Sequence, residues 1–441
     1  MAGAFNDETG PHRILARAPM TLRQVLAIGL CVLLNALDGF DVLSISFAAP
    51  GIAREWKVDR TALGVVLSME LVGMMAGSLV LGQMADRIGR RPTAIACLVI
   101  MAGGMFGTTQ VDTIGALGAT RLFTGLGIGG MLAVTNALVA EFANDKWRRT
   151  AVAIMAAGYP LGVIVGGAVA SALLVRGDWR DVFWLGAGMT ALFVPLVPLL
   201  VPEPVGALLQ KPGGDRLARV NRSLRALGHG PVESLPPVDP AGRGPHLSGL
   251  FARGMALVTG LLTVICFAHL LTFYFILKWT PKIVADMGFA ASAAGGVLVW
   301  ANVGGLMGGL VFSALSLRFP LRGLMALFMV GSTVTVAAFG RSPADLHALS
   351  VAAAIAGFCA NGVIVGLYAL AADSFPTANR AGGTGFSIGV GRGGAALSPV
   401  LGGWLFEAGF DLATVAAIMG CGSLVALAAL IAMPRRPVEG R

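Results

Sequence analysis

Apolar stretches of about 20 residues or more recur along the 441-residue chain, and each is long enough to cross a bilayer as a helix. Only 12% of the residues are charged, against roughly a quarter in a typical soluble domain. The sequence therefore predicts an all-α membrane protein with twelve transmembrane helices. These spans are expected near residues 22–50, 61–84, 92–110, 114–140, 151–175, 182–201, 255–281, 289–316, 322–340, 344–371, 381–406 and 411–433.

A long polar interval, residues 202–252, divides the twelve spans into six and six. We expect an N-terminal six-helix bundle in residues 1–201, a cytoplasmic linker over 202–252, and a C-terminal six-helix bundle in residues 253–441. Two six-helix bundles are typical of transporters, whose binding site lies between the repeats near mid-membrane.

The linker contains apolar residues at helical spacing with arginines beside them, which predicts a short amphipathic helix. The apolar residues are Leu217, Val220, Leu224 and Leu227. We expect this helix to lie at the inner membrane surface with its apolar side toward lipid. Binding of a regulatory partner to the same side is the alternative.

The net charge of +9 follows the predicted topology. The loops and tails on the N-terminal side of the membrane hold 22 Lys and Arg residues, whereas the opposite loops hold seven. This asymmetry places both termini in the cytoplasm and predicts a multi-pass protein of the cell inner membrane. It also explains the basic excess without a nucleic-acid partner. The first 20 residues lack the apolar core of a cleavable signal, so the first span is expected to direct insertion.

The connection between spans two and three reads GQMADRIGRRPT. Its glycines allow close helix packing and a tight turn, and its acid can pair with the neighbouring arginines. The residues concerned are Gly82, Asp86, Arg87, Gly89, Arg90 and Arg91. This pattern resembles the signature loop of the major facilitator superfamily. The resemblance implies a cytoplasmic latch that influences which way a transporter faces.

An acid and an arginine recur seven residues apart on corresponding connections of the two halves. Glu141 and Arg148 follow span four, and Asp373 and Arg380 follow span ten. The shared spacing indicates an internal duplication. We interpret the two combinations as cytoplasmic gate pairs.

Two carboxylates, Asp38 and Asp41, lie in the middle of the first span. A charged side chain at the centre of a membrane helix costs on the order of 2.5–3.5 kcal/mol, so neither is expected to face lipid. They are three residues apart and share a face. Either a cation pairs with them for structural reasons, or they line a path for protons or substrate. We favour the second hypothesis.

The stretch DGFDVLSISFAAPGIAREW also resembles the first helix of the aromatic acid:proton symporter family, and RLFTGLGIGG, YFILKWTPKI and FPTANRAGGTGFSIGVGR add further matches. The resemblance implies proton-coupled uptake of an aromatic carboxylate, such as a hydroxybenzoate, by alternating access. We expect a monomer driven by the proton gradient, with no cofactor and no metal. Glu70 in span two departs from the family pattern, and it joins the proton path, shifts substrate preference or forms a buried structural pair.

In related symporters the counterpart of Arg121 faces the first helix, so the resemblance implies pairing of Arg121 with Asp38 or Asp41. The alternative is an arginine that snorkels near the inner end of its span. Lys278 shares a face with Tyr274 near the outer end of span seven, and a side chain that merely snorkels there is the alternative. Arg392 is the preferred ligand for the substrate carboxylate, with a structural pair as the alternative. Further substrate-binding candidates are His269, Phe273, Tyr274, Asn302 and Asn361.

Other functions on the same fold stay open. The chain could carry another small organic anion, or act as an exporter or antiporter. An enzyme is not expected, because no metal cluster, nucleophile elbow or phosphate loop is evident in the sequence. A sensor without transport activity is a third alternative, which measured flux would exclude.

Overall fold

The structure is a computed structural model that describes residues 10–210, 215–235, 255–375 and 380–434. All regular elements within these ranges are helical, which confirms the all-α prediction. They are α1 (Pro11–Arg17), α2 (Leu22–Trp56), α3 (Arg60–Ile88), α4 (Arg90–Thr108), α5 (Ile114–Phe142), α6 (Arg148–Leu173), a single 3-10 turn (Leu174–Arg176), α7 (Arg180–Leu200), α8 (Val205–Gln210), α9 (Arg216–Ala226), α10 (Met255–Asp286), α11 (Ala291–Leu315), α12 (Leu321–Phe339), α13 (Leu346–Ser374), α14 (Arg380–Glu407) and α15 (Leu412–Ala432).

Eleven of the described helices are long and apolar enough to cross a membrane, namely α2–α7, α10–α13 and α15. The predicted span at 381–406 corresponds to α14, which is 28 residues long. Its many glycines and Arg392 lower its hydropathy, so it is recognised by its place in the bundle. α14 packs along α10, as a helix of the C-terminal bundle should.

The helices form two bundles with matching internal packing. In the first bundle α3 packs along α5, and in the second α11 packs along α13. These are the second and fourth spans of each half, as the predicted duplication requires. Glycine permits both contacts: a Cβ on Gly77 would lie 1.9 Å from the Leu126 carbonyl oxygen, and one on Gly304 would lie 1.8 Å from that of Ala354.

We call the end of the bundles that holds the 85–93 connection the latch end, and the opposite end the far end. The bundles meet toward the far end, where α3 packs against α14 and α6 against α11. A Cβ on Gly64 would lie 2.4 Å from the Pro399 carbonyl oxygen, so α3 and α14 touch through their backbones. Arg60 at the start of α3 binds Asp286 at the end of α10, with 3.1 Å between Nη2 and Oδ2. These contacts hold the far end closed.

The linker helix α9 packs on protein and not on lipid, so the expected lipid-facing orientation is wrong. Val220, Leu224 and Leu227 are fully buried in a core cluster that includes the N-terminal bundle, whereas Leu217 is exposed. The Arg23 guanidinium donates to the Arg225 carbonyl at 2.9 Å and fixes the end of α9 beside the start of α2. The Pro/Gly-rich part of the linker from residue 236 lies outside the described residues.

Candidate functional site

Asp38 and Asp41 are fully buried on α2, within the N-terminal bundle. Oδ2 of Asp41 accepts a long hydrogen bond of 3.4 Å from the Thr190 hydroxyl on α7. Among the described residues, no donor reaches Oδ1 of Asp41 or either carboxyl oxygen of Asp38. Buried polar atoms are normally hydrogen-bonded, so these carboxyl groups call for an explanation beyond packing.

The ion pair formed by Arg121 differs from the expected one. Its Nη1 lies 3.7 Å from Oε1 of Glu70, and both side chains are completely buried. No carboxylate oxygen of Asp38 or Asp41 forms a salt bridge with it within the described ranges, so the predicted pairing is wrong. The reason lies in the glycine row of α5: a Cβ on Gly125 would lie 2.0 Å from the Glu70 carbonyl oxygen. This close approach places Arg121 beside Glu70.

The guanidinium of Arg121 is held by several further groups. It donates to the hydroxyls of Thr124, Thr108 and Ser44 at 2.8, 3.1 and 3.3 Å. Its Cζ lies 4.8 Å from the centre of the Phe183 ring, a cation–π contact. Arg121 therefore has a fixed position in the core, and the alternative of a snorkelling side chain is wrong.

Lys278 is also completely buried, so the alternative of a snorkelling side chain is wrong for this residue too. Its Nζ lies 3.3 Å from Oε2 of Glu70, and it donates to the backbone carbonyl of Val42. The predicted span ended at residue 281, whereas α10 continues to Asp286. The additional turn moves Lys278 away from the helix end and into the contact between the bundles.

Glu70 thus connects Arg121 of its own bundle with Lys278 of the other bundle. The buried structural pair is therefore formed and involves both halves of the chain, and a role of Glu70 in the proton path stays a prediction. Asp41 lies within electrostatic range of Glu70 and Arg121, so it borders the same cluster. Lys278 was not among the predicted site residues. The unpaired Glu70 was the signal that could have indicated it, since a buried carboxylate needs a cation.

The candidates for substrate contact in the C-terminal bundle separate into two groups. Phe273 and Tyr274 are half-buried, with perpendicular rings 5.4 Å apart. Tyr274 lies close to Tyr159 of the N-terminal bundle, so it borders the interface. Arg392 is half-buried on α14 and within electrostatic range of Tyr274. These residues retain surface for a ligand.

The side chains of the second group are hydrogen-bonded to other parts of the protein. His269 is fully buried, with Nδ1 3.0 Å from the Ser423 hydroxyl and Nε2 2.9 Å from the Ala360 carbonyl oxygen. Both ring nitrogens are occupied, which fits helix packing and removes His269 from the preferred ligands. Asn302 donates to Leu298 O at 2.9 Å, and Asn361 donates to Gly305 O at 2.7 Å. Both asparagine side chains are thereby fixed to neighbouring backbone.

The latch loop is organised by a residue that the motif does not contain. Glu203, which follows α7, accepts from the backbone N–H of Arg90 at 2.7 Å and from that of Arg91 at 3.1 Å. The carboxylate therefore caps the start of α4. Gly89 has φ of 118°, and a Cβ there would lie 2.5 Å from the Glu203 carboxylate. Arg91 also donates to the Pro198 carbonyl at 2.6 Å.

The gate pair predicted within the 141–148 segment is not formed. Glu141 binds Arg90 of the latch loop, whereas Arg148 binds Asp145 at 3.0 Å. Arg148 lies at the start of α6 and Glu141 near the end of α5, with a turn between them that turns Arg148 toward the closer acid. The ion pair between Glu141 and Arg90 thus links α5 to the latch loop.

The remaining residues predicted for the latch and the gates have no ion pair or close contact among the described side chains that would assign them a role. Gly82 faces Ala133 of α5, where a Cβ would make an ordinary contact at 3.6 Å. Arg87 and Asp373 are exposed. The side chains of Asp86 and Arg380 lie outside the described part of the chain, so the second predicted gate pair stays a prediction.

Replacing Glu203 by alanine is expected to lower the stability of the latch loop. The first N–H groups of α4 lose their acceptor, which should cost about 1–2 kcal/mol, in the range of other helix caps. The measurement is the thermal unfolding midpoint of the detergent-solubilised protein. Glu233→Ala is the control, because Glu233 is exposed. Equal midpoints for the two variants would contradict the capping role.

The two packed six-helix bundles, with a buried charge cluster between them, define a secondary-transporter architecture. The family model described as Major Facilitator Superfamily matches residues 31–342 and 262–441. The chain belongs to this superfamily, and it is a membrane transporter and not an enzyme. Its relatives include transporters of aromatic acids, as the resemblance of the sequence implied.

Two relatives cover nearly the whole chain. The 3-(3-hydroxy-phenyl)propionate transporter of Escherichia coli (strain K12) is 32% identical over 94% of this chain and 95% of its own. The 4-hydroxybenzoate transporter PcaK of Pseudomonas putida is 27% identical over 88% of this chain and 89% of its own. Among solved structures, the inward open xylose transporter XylE of E. coli matches with a TM-score of 0.71 and 16% identity, over 93% of this chain and 96% of that one. This last likeness concerns the fold.

Proposed function

We propose that the protein is a proton-coupled importer of an aromatic carboxylate that works by alternating access in the cell inner membrane. The latch end and both termini face the cytoplasm, in line with the distribution of Lys and Arg along the chain. A monomer suffices, because both bundles of the transporter are in one chain. The transported species are the organic acid and protons.

The observation that carries the proposal is the state of Asp41. The side chain is fully buried, has one carboxyl oxygen without a donor among the described residues, and borders the Glu70–Arg121–Lys278 cluster. An unpaired charge in such a place is costly, and a carboxyl group that gains and loses a proton there can couple proton movement to the movement of the bundles. Asp38 is a second such group one turn earlier.

The substrate class is supported by the relatives and by the chemistry of the C-terminal bundle. Both curated relatives are named as transporters of hydroxylated aromatic acids. Arg392 can bind a carboxylate through two parallel hydrogen bonds, and Phe273 and Tyr274 can contact an aromatic ring. Arg392 lies within electrostatic range of Tyr274, which supports a site that holds a carboxylate and a ring together.

The test is uptake of radiolabelled acids by cells that express the protein, with and without a protonophore. The panel contains benzoate, hydroxybenzoates, protocatechuate, gentisate, phenylpropanoids and the nonaromatic acid muconate. Protonophore-sensitive accumulation of a ring acid would support the proposal. Accumulation of muconate alone would assign another organic anion, and enhanced loss of preloaded acid would assign export.

Replacing Arg392 by alanine is expected to raise the KM for a transported acid about 10- to 150-fold. This range corresponds to the 1.5–3 kcal/mol of a hydrogen bond to a charged group. Uptake kinetics over a range of substrate concentrations give the value. Arg341→Ala is the control, since Arg341 is exposed and donates to the Ala337 carbonyl at the end of the preceding helix. Unchanged kinetics in Arg392→Ala would move the carboxylate contact elsewhere.

A further inference from the structure

Lys278 ties the two bundles together where they meet. It belongs to α10 of the C-terminal bundle, and both of its acceptors, the Glu70 carboxylate and the Val42 carbonyl, belong to the N-terminal bundle. Lys278 and Glu70 have no exposed side-chain surface. The far end of the transporter therefore cannot open unless Lys278 leaves both acceptors.

Separation of the bundles affects the two members of this ion pair unequally. Glu70 lies 3.3 Å from Lys278 and 3.7 Å from Arg121, so it keeps a cation when Lys278 departs. Among the described residues, Glu70 is the only carboxylate within 4.0 Å of the Lys278 ammonium. Lys278 would thus enter the opening cleft as a cation without a counter-ion, which is unfavourable until an anion arrives.

Other charged or titratable groups around Glu70 do not supply that anion. Asp41 of α2 is coupled to Arg121 and Glu70 inside the N-terminal bundle. Tyr159 of α6 and Tyr274 of α10 are within electrostatic range of Glu70. Asp286 lies two turns beyond Lys278 and binds Arg60 and Lys282. None of these groups brings a carboxylate into contact with the Lys278 ammonium.

We propose that the carboxylate of the transported acid replaces Glu70 on Lys278 when the far end opens. Glu70 then holds the place of the substrate anion in the closed state and keeps Arg121 as its partner afterwards. Before the exchange Glu70 is the anion for both Lys278 and Arg121. After it, the substrate carboxylate binds Lys278 and Glu70 binds Arg121, so neither cation is left without an anion. This inference rests on the proposed function and adds a specific binding residue to it.

The positions of two cations along α10 give the bound acid an order of contacts between the bundles. Tyr274 lies one helical turn before Lys278 and borders the bundle interface. Gly391 and Gly393, on either side of Arg392, face Cys266 and Phe267 of α10, which lie about three turns nearer the latch end than Lys278. Lys278 is therefore the receiving cation on the far side, and Arg392 the cation that the acid meets on its way to the latch end.

The test measures far-end closure by cross-linking of an Arg60→Cys/Asp286→Cys pair, whose native side chains meet at 3.1 Å. The full chain is used, with the exposed Cys421 replaced by serine. Rates are measured with each acid of the uptake panel and with the neutral probe 4-hydroxybenzamide. A transported carboxylate should slow cross-linking several-fold, and the amide should leave it unchanged.

Two substitutions of Lys278 make the test specific. Lys278→Met should slow cross-linking without any acid and abolish the further response to carboxylates. Lys278→Arg keeps the cation and should retain the response, which shows that the effect does not arise from misfolding. A full carboxylate response in Lys278→Met, or an equal response to the amide, would overturn the inference.

Failure of the inference can be separated from failure of the proposed function. If wild-type protein accumulates a ring acid but no acid acts through Lys278, the inference is wrong and the proposed function stands. If no ring acid accumulates, the proposed function is wrong. The inference then survives only if muconate slows cross-linking in wild type and not in Lys278→Met, and otherwise falls with it.

Discussion

Accumulation of the transported acid against its gradient is expected to stop in Asp41→Asn, while exchange of internal for external acid continues. Asparagine is close to aspartate in shape and can keep the contact with Thr190, so the bundle should assemble. It cannot carry a proton through a cycle, and the acid would move only down its own gradient. Uptake under an imposed proton gradient and counterflow without one measure the two activities separately.

Asp112→Asn is the matched control for this prediction, because the Asp112 side chain is 90% exposed at the far end. It removes the same charge from the same half of the chain and should leave both activities unchanged. Uphill uptake by Asp41→Asn at the wild-type level would remove Asp41 from proton coupling. Loss of counterflow together with uptake would instead indicate a damaged fold.

The sequence predicted the helices and their division into bundles because both follow from apolar length. A span of about 20 apolar residues needs no knowledge of its neighbours to be recognised. The linker helix shows where this reasoning ends. The spacing of Val220, Leu224 and Leu227 predicts an apolar face, but the same face suits lipid and protein equally well. Only the tertiary contact with the start of α2 decides between them.

Pairing within the site could not be obtained from the order of residues. Arg121 could reach an acid on α2 or on α3, and the glycine contact between α5 and α3 selects Glu70. Lys278 and Glu70 are more than 200 residues apart and belong to different bundles. Glu203 likewise acts on a loop that lies far from it in sequence. Such contacts depend on how helices approach each other, which hydropathy does not specify.

Removal of the Glu70 charge should destabilise the folded protein more than removal of the Lys278 charge. In Glu70→Gln two buried cations, Arg121 and Lys278, face each other without the carboxylate between them. Breaking a buried ion pair in this way costs about 3–5 kcal/mol. In Lys278→Met, Glu70 keeps Arg121, so the loss is expected to be smaller. Thermal unfolding midpoints of the two detergent-solubilised variants give the order.

The double variant Glu70→Gln/Lys278→Met separates this explanation from a general sensitivity of the interface. It removes one of the two uncompensated cations, and Arg121 keeps its hydroxyl acceptors and the Phe183 ring. Its midpoint should therefore lie above that of Glu70→Gln alone. Lys57→Met is the control, because it makes the same substitution at an exposed lysine, where the effect should be within about 0.5 kcal/mol. If the double variant is less stable than Glu70→Gln, repulsion between the two cations is not the cause, and Glu70 must stabilise the bundles through packing.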